Sequence, residues 1–420
     1  MLIVGGTYAE TCDTPSWNTT QGSGMRAAGA LQGRGARLLT AVDETLADGA
    51  ELVANAIRMS RETVPRSGPV GFNYFTPLST PRIFGAKTEA LEPLVGEDDA
   101  ALVFGLLETS AMQVRAQQLV YDPQRPGSGN AINLTGLAFE RLALVLNSGE
   151  VRAFGRSQDV ATAVANLFGQ TPAEVIVVKG GASGCLVFER SKPNARRVAA
   201  CPTQSVWPLG SGDTFAAGFT AAWSAGADPV EAAKVGSASA AYWCSTRGPV
   251  LPEGILTGDG VFGATMGITP LPDAPKKPGV AAQEPPMVYL AGPFFNLGER
   301  WLVDLVRDAL WAQGVRVFSP FHDVGPGDES VAIADIEGLQ QCSSLIALLD
   351  DSDFGTVYET GWAEGAGIPV VGYASRPDKE GAKMLTGLGG ELHDDLSTAV
   401  YRAAWRAFGA PAVKKTRSTS

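Results

Sequence analysis

Two short stretches carry residues whose types and spacing could do chemistry. The first is Gly210-Ser211-Gly212-Asp213-Thr214-Phe215-Ala216-Ala217-Gly218-Phe219. Small residues precede a helical pattern, so free backbone N–H groups and the positive end of the helix dipole can hold a phosphate-like anion. An Asp on such a turn can take the proton of a hydroxyl that attacks the phosphate. The same residues also fit an ordinary strand-to-helix turn. The second stretch begins with Ser344-Leu345-Ile346-Ala347-Leu348-Leu349-Asp350, an apolar run that reads as a buried strand. It turns through Asp351-Ser352-Asp353-Phe354-Gly355-Thr356 into a helix expected to open at Val357-Tyr358-Glu359. Asp353 and Glu359 then lie at the carboxyl edge of a sheet, where α/β proteins bind ligands. A carboxylate near a helix N-terminus is expected to stay ionised, as a nucleophile requires. Thr356-x-x-Glu359 equally fits a capping box, in which Glu359 serves only backbone donors.

The elements that must position these residues alternate between strand-like and helix-like patterns. In the first half, strands are legible at 2–4, 142–146, 175–179 and 185–188, with helical patterns at 158–168, 213–224 and 229–244. The second half reads strand 288–291, helix 299–313, strand 315–318, helix 330–341 and strand 345–349, then helix 357–366, strand 368–372 and helix 396–407. Such alternation implies an α/β fold with parallel sheets covered by helices. Between the halves, 269–287 holds Pro270, Pro272, Pro275, Pro278, Pro285 and Pro286, a density that favours an extended, semi-rigid linker. The domains are therefore expected at 1–264 and 287–408, with a linker at 265–286 and a polar tail at 409–420.

Composition narrows the function classes. The chain has 420 residues, of which 45% are hydrophobic, enough for sizeable cores. Its net charge of −11 argues against a nucleic-acid partner or an anionic membrane surface, which need a basic footprint. The acidity belongs mainly to 287–408, with 18 acidic against 8 basic residues. No apolar run reaches the ~18 residues that span a bilayer. Met1-Leu2-Ile3-Val4 runs straight into Gly5-Gly6 without a basic segment, unlike a secretory signal. The five Cys are never spaced as CxxC, and His322 and His393 are the only histidines, so neither a disulfide framework nor zinc is expected. These features point to a cytoplasmic protein. Gly22-x-Gly24-x-x-Ala27 mimics a dinucleotide fingerprint, but 11–21 before it reads as polar and turn-rich rather than as a strand. No P-loop pattern GxxxxGK[ST] occurs.

Three further segments accompany the Asp213 turn in order. They are Asp122-Pro123-Gln124-Arg125, Asn147-Ser148-Gly149-Glu150 and Val177-Val178-Lys179-Gly180-Gly181-Ala182-Ser183-Gly184. Together with the turn they resemble the motifs of ribokinase-like (PfkB-type) sugar and nucleoside kinases, over about 2–248. The resemblance implies Asp213 as catalytic base and Gly210, Ser211 and Gly212 as an anion hole. It further implies ATP bound near Lys179 and Gly181, with Asn147 and Glu150 organising magnesium through water. Two departures stand out. Trp207 occupies the position where the family usually has an Asp, which puts the monovalent-cation site in doubt. The sugar-binding region appears only as Gly22-Ser23-Gly24-Met25-Arg26-Ala27, without Asn; Gly24 is its substrate-binding candidate, and the lid is expected to be reduced.

In the second half, Val288-Tyr289-Leu290-Ala291-Gly292-Pro293-Phe294-Phe295, Ala334-Asp335-Ile336-Glu337 and the Asp353…Glu359-Thr360-Gly361 spacing resemble nucleoside 2-deoxyribosyltransferases and related nucleotide N-glycosidases. That resemblance covers about 287–408 and implies a smaller, flavodoxin-like doubly wound sheet. By it Glu359 attacks the anomeric carbon, Asp335 and Asp353 bind or protonate the base, Tyr289 orients Glu359, and Gly292 and Pro293 contact substrate. His322 lies at another strand end, as a pocket residue or a turn residue.

The combined expectation is a bifunctional enzyme acting on a small nucleoside, nucleotide or pentose, with ATP and magnesium, and self-associating as relatives of the second half do. The alternatives are a nucleotide-binding regulatory first half, or two halves serving as a ligand sensor.

Overall fold

The computed structural model describes residues 1–124, 131–272, 284–351, 353–378 and 380–412. Arg125, half of the proline-rich linker, Ser352 and most of the polar tail lie outside the described residues. The chain divides into two compact units. The first comprises 1–180, 184–201 and 207–269; the second comprises 270–420 with 181–183 and 202–206.

The first unit is built on a nine-stranded sheet. In spatial order its strands are Arg196–Val198, Cys185–Glu189, Val175–Lys179, Leu137–Asn147, Met112–Asp122, Leu94–Phe104, Leu2–Val4, Arg37–Val42 and Ser60–Pro65. The seven from Val175–Lys179 onward pair in parallel, and the two at the other edge are antiparallel. The strands between the two edges feed a separate core on each face, as the two-residue period of a strand demands. Leu142, Leu144 and Leu146 pack with Val151, Phe154 and Leu167 on one side. Ala143 and Val145 pack with Phe215, Phe219 and Trp223 on the other. Fully burying a side chain of this size contributes roughly 1.5–3 kcal/mol, so the two layers of helices are held by the sheet they cover.

A second, four-stranded sheet joins Trp17–Thr20, Ala9–Cys12, Gly71–Tyr74 and Arg82–Phe84 in that order. It corrects two expectations. Residues 11–21 are largely a hairpin, with Cys12 opposite Trp17 and Ala9 opposite Thr20. The small sheet is also drawn from two chain segments, so the interval before Gly22 understates it. Strands of three or four residues with polar members, such as Trp17-Asn18-Thr19-Thr20, carry too little alternation to be read locally.

The second unit holds five strands in the order Arg316–Phe318, Met287–Ala291, Ser344–Leu348, Val370–Tyr373 and Glu391–His393, all parallel. In chain order this is 2-1-3-4-5, the doubly wound arrangement whose topological switch point lies between the first and third strands. Tyr289, Ala291, Leu345 and Ala347 pack with Leu339 and Ala363 on one face. The helix Leu396–Ala407 lies on the sheet's remaining side with Leu297–Ala312. Among the described residues, no helix is long and apolar enough to cross a membrane.

Candidate functional site

In the first unit, Leu137–Asn147 ends at Asn147, which caps the helix Ser148–Gly155. The Asn147 side chain accepts from the Glu150 N–H at 2.9 Å, and Glu150 accepts from the Asn147 N–H at 2.7 Å. The Asn-x-x-Glu spacing is thus a capping box that also lies on the wall of a cavity of about 550 Å³. Burial, with the Asp122 charge nearby, pushes the Glu150 carboxyl well above the ordinary carboxylate range. Lys179, at the end of the next strand, donates to Asp122 at 2.6 Å. Burial disfavours the Lys179 ammonium, but Asp122, Glu150 and Asp213 together outweigh it and hold the pKa above its ordinary value.

Asp213 lies in the first turn of the helix Ser211–Ser224, whose N-cap is Gly210 at φ 84°. Gly210 supplies no side-chain cap, and Gly212 and Asp213 of the first turn line the cavity, whereas the Ser211 N–H donates to the Pro208 carbonyl at 3.1 Å and Ser211 is not on the wall. The cavity is walled by Glu10, Tyr8, Phe72, Tyr74, Gly210, Gly212 and Asp213 among others, so the small sheet supplies one side of it. Asp213 is engaged through both oxygens: Arg26 Nη1 donates to Oδ2 at 2.6 Å and Gln124 Nε2 to Oδ1 at 2.9 Å. Arg26 Nη2 also donates to Glu10 at 2.6 Å.

Several expectations shift here. Gly24 is not on the cavity wall; it packs on Gly5, whose backbone leaves no room for a Cβ. Its helix, Gly22–Ala30, reaches the cavity through Ser23 and Arg26 instead. Gly181 opens the short turn Gly181–Ser183 and does not line the cavity. Trp207, at the position of the family's Asp, is buried against Trp17, with ring centroids 5.4 Å apart and Arg247 over its face. Sequence reasoning missed Glu10 and Arg26. The available signal was a lone Arg among small residues in a helix buried throughout, since such a charge must be paired.

In the second unit, the site forms around the switch point. Tyr289 is fully buried on the first strand and donates to Glu359 Oε1 at 2.8 Å. Asp353, not Thr356, caps the following helix, accepting from the Thr356 N–H at 2.6 Å. That helix therefore runs Phe354–Gly365, opening three residues before the expected Val357. Glu359 lies in its second turn, where it is free of capping duty. The capping-box explanation of Glu359 fails because Asp353 already serves the N-terminal donors.

The expectation that Glu359 stays ionised is corrected. Burial pushes its pKa up to about 7; Tyr289 pulls it down, while Asp335 and Asp353 are close enough for their charges to raise it. Asp335, on the helix Val331–Gln340, has a buried Oδ1 without a hydrogen-bond partner among the described residues, and burial raises its pKa as well. Tyr289 is itself raised, by burial and then by Glu359, so it remains a donor. Glu359 thus titrates near neutrality beside Asp335, whose carboxyl burial also pushes up.

Gly292 and Pro293 follow the first strand and are buried. A Cβ on Gly292 would stand 3.0 Å from Leu348, so this glycine permits a close strand-to-turn approach. His322 lies in a single π-turn, Pro320–Val324, bonded to Ser319 at 3.0 Å and Asp304 at 2.9 Å, which is the turn role.

Because Tyr289 lowers the Glu359 pKa, Tyr289→Phe is expected to raise it. If base release needs ionised Glu359, the acidic limb of its pH–rate profile moves upward by ~1 unit and the loss of rate shrinks above pH 8. A profile that falls equally at every pH would show that Tyr289 acts only through packing.

Comparison with known proteins yields two family matches. Residues 143–254 match the pfkB family carbohydrate kinase model, and residues 288–393 match the nucleoside 2-deoxyribosyltransferase model. The two halves thus resemble ribokinase-like kinases and nucleoside 2-deoxyribosyltransferases, respectively. Similar solved structures include a putative ribokinase from Agrobacterium tumefaciens, at 16% identity and TM-score 0.47 over 61% of this chain and 96% of that one. Adenosine kinase from Sinorhizobium meliloti is 15% identical, with TM-score 0.47 over 61% and 97% of the respective chains. A phosphofructokinase-2 mutant from Escherichia coli is 13% identical, with TM-score 0.45 over 61% and 98%. A search of curated proteins finds no match.

Proposed function

We propose that the chain is a bifunctional enzyme of nucleoside or sugar metabolism. Its second unit cleaves or exchanges an N-glycosidic bond, and its first transfers the γ-phosphoryl group of ATP to a sugar or nucleoside hydroxyl. The observation that carries the reading is Glu359, partly buried, bonded by Tyr289 and flanked by Asp335 and Asp353 at the switch point of a doubly wound sheet.

In the glycosidic reaction a Glu359 oxygen bonds to the anomeric carbon. The carbon–nitrogen bond breaks, its electron pair leaves with the base, and Asp335 or Asp353 supplies the proton. A second base, or water, then displaces Glu359. In the phosphoryl reaction Asp213 receives the proton of the attacking hydroxyl, and Gly210, Ser211 and Gly212 meet the charge on the phosphoryl oxygens. ATP would lie along that turn with Lys179 nearby. Magnesium keeps several waters and needs only one or two carboxylates, a demand that Glu150 with Asn147 on the cavity wall can meet. Bound there, the ion would neutralise charge between the phosphates.

One observation favours a second reading of the first unit, as a nucleotide-binding regulatory module: Asp213 is already engaged through both oxygens. A panel of nucleosides, nucleotides and pentoses, chromatographed with and without magnesium-ATP, separates these readings. Free base together with ATP-dependent phosphate esters is the expected outcome. Free base alone supports the regulatory reading, and neither product overturns the proposal.

Self-association belongs to the same reading. Phe354, Val357 and Tyr358 are 96%, 56% and 66% exposed on the helix that carries Glu359, an apolar surface that a second copy would cover. A solution mass of at least two chains is expected, and a monomer at all concentrations would refute it.

A further inference from the structure

Arg26 is the one charged residue in a nine-residue helix that is buried throughout. Its side chain is 3% exposed. Two of its nitrogens are accounted for by Glu10 and Asp213, with Gln21 a weaker partner at 3.4 Å. The Trp243 ring lies 5.3 Å from the guanidinium carbon. Burial works against the Arg26 charge, but Glu10 and Asp213 outweigh it, so the guanidinium stays charged.

The remaining edge is the informative one. Arg26 Nε is buried and has no hydrogen-bond partner among the described residues. That edge lies against Gly210, where a Cβ would collide with Nε, Cδ and Cζ. At the other end of the turn, Lys179 Nζ would stand 3.3 Å from a Cβ on Gly212. A buried cation, Arg26, and a partly buried one, Lys179, therefore flank the turn that opens the helix Ser211–Ser224, and Arg26 holds an unspent donor against it.

We propose that Arg26 is the cationic arm of a phosphoryl-transfer site at the Gly210–Gly212 turn, stabilising the oxygens of the group in flight. The assignment rests on the kinase reading of the first unit. In the step, the acceptor oxygen bonds to the γ-phosphorus, and the bond to the β–γ bridging oxygen breaks. ADP departs with that electron pair, and the hydroxyl proton passes to Asp213. Protonation removes the negative charge that Asp213 offers Arg26, leaving the guanidinium with Glu10 and the phosphoryl oxygens. The countercharge on Arg26 is thus released as charge develops on the phosphoryl group. A buried cation acts there at far lower effective dielectric than an exposed one.

The test separates stabilisation of the transferring group from support of the fold. Magnesium-ADP affinity of the full chain is measured with and without aluminium fluoride, a mimic of the phosphoryl group in flight. Fluoride is expected to tighten ADP binding in the native protein on the order of 10²-fold. Arg26→Lys should lose most of that gain, and Arg26→Gln/Glu10→Gln nearly all of it, with ADP affinity alone kept within about threefold. The double variant removes opposite charges together, because Arg26→Gln alone would strand two carboxylates. Equal tightening in native protein and variants overturns the Arg26 assignment while the kinase reading stands. Equal weakening of ADP with and without fluoride also overturns it, since a structural role predicts that pattern. A native protein that binds ADP in neither condition overturns the kinase reading and the assignment together.

Discussion

Glu359→Gln is expected to abolish release of free base, lowering the rate on the order of 10⁴-fold or more, while any ATP-dependent phosphoryl transfer continues. Glutamine keeps an oxygen to accept from Tyr289 but cannot form the ester to the anomeric carbon. The same variant should be more stable than the native protein above neutral pH. The Glu359 pKa rises from the ordinary 4.5 to about 7 on folding, so the folded state binds the extra proton. Stability contributed by that proton is complete below about pH 4.5 and is lost as pH rises toward 7. Glutamine has no such loss, so the stability difference should open across this window to at most a few kcal/mol, with the melting temperatures separating accordingly. Base release is read by chromatography and stability by thermal melts at pH 5 and pH 8. Retained base release in Glu359→Gln would remove Glu359 as nucleophile, and a pH-independent gap in melting temperature would place its carboxyl in water.

Asp213→Asn should lower phosphoryl transfer by 10²- to 10⁴-fold, the usual contribution of a positioned general base. Arg26 keeps Glu10 as a partner in this variant, so the fold should survive with one buried ion pair fewer. Nucleotide affinity should change little, because the proposed contacts to phosphate come from the turn and not from the Asp213 carboxylate. Transfer at the native rate would remove Asp213 as base. If the native protein binds ATP but phosphorylates no acceptor, and Asp213→Asn leaves base release unaltered, the regulatory reading of the first unit gains the argument.

Much of this was legible in the sequence because it is local. The helix at 229–244 is found as Pro229–Thr246, and the strand at 288–291 as Met287–Ala291, since each follows a hydrophobic period over a few residues. The long strands Leu94–Phe104 and Met112–Asp122 escaped, because Val95-Gly96-Glu97-Asp98-Asp99 and Arg115-Ala116-Gln117-Gln118 dilute the apolar pattern where the strands leave the core. The closing strand Glu391–His393 has three residues, too few to show a period. Gly24 was chosen for its motif position, yet packing against Gly5 decides its role.

The two motif sets, the helix that opens beside Asp213 and the buried strand ahead of Asp353 and Glu359 are thus properties of the sequence itself. Each depends on neighbours a few residues away. Only the tertiary structure decided the partners and charges of those same groups. Arg26 reaches Asp213 across 187 positions, and Tyr289 reaches Glu359 across 70. The state of Glu359 follows from burial and from carboxylates on a separate helix and turn. Such electrostatic effects depend on distance and dielectric in space, and spacing along the chain does not encode either.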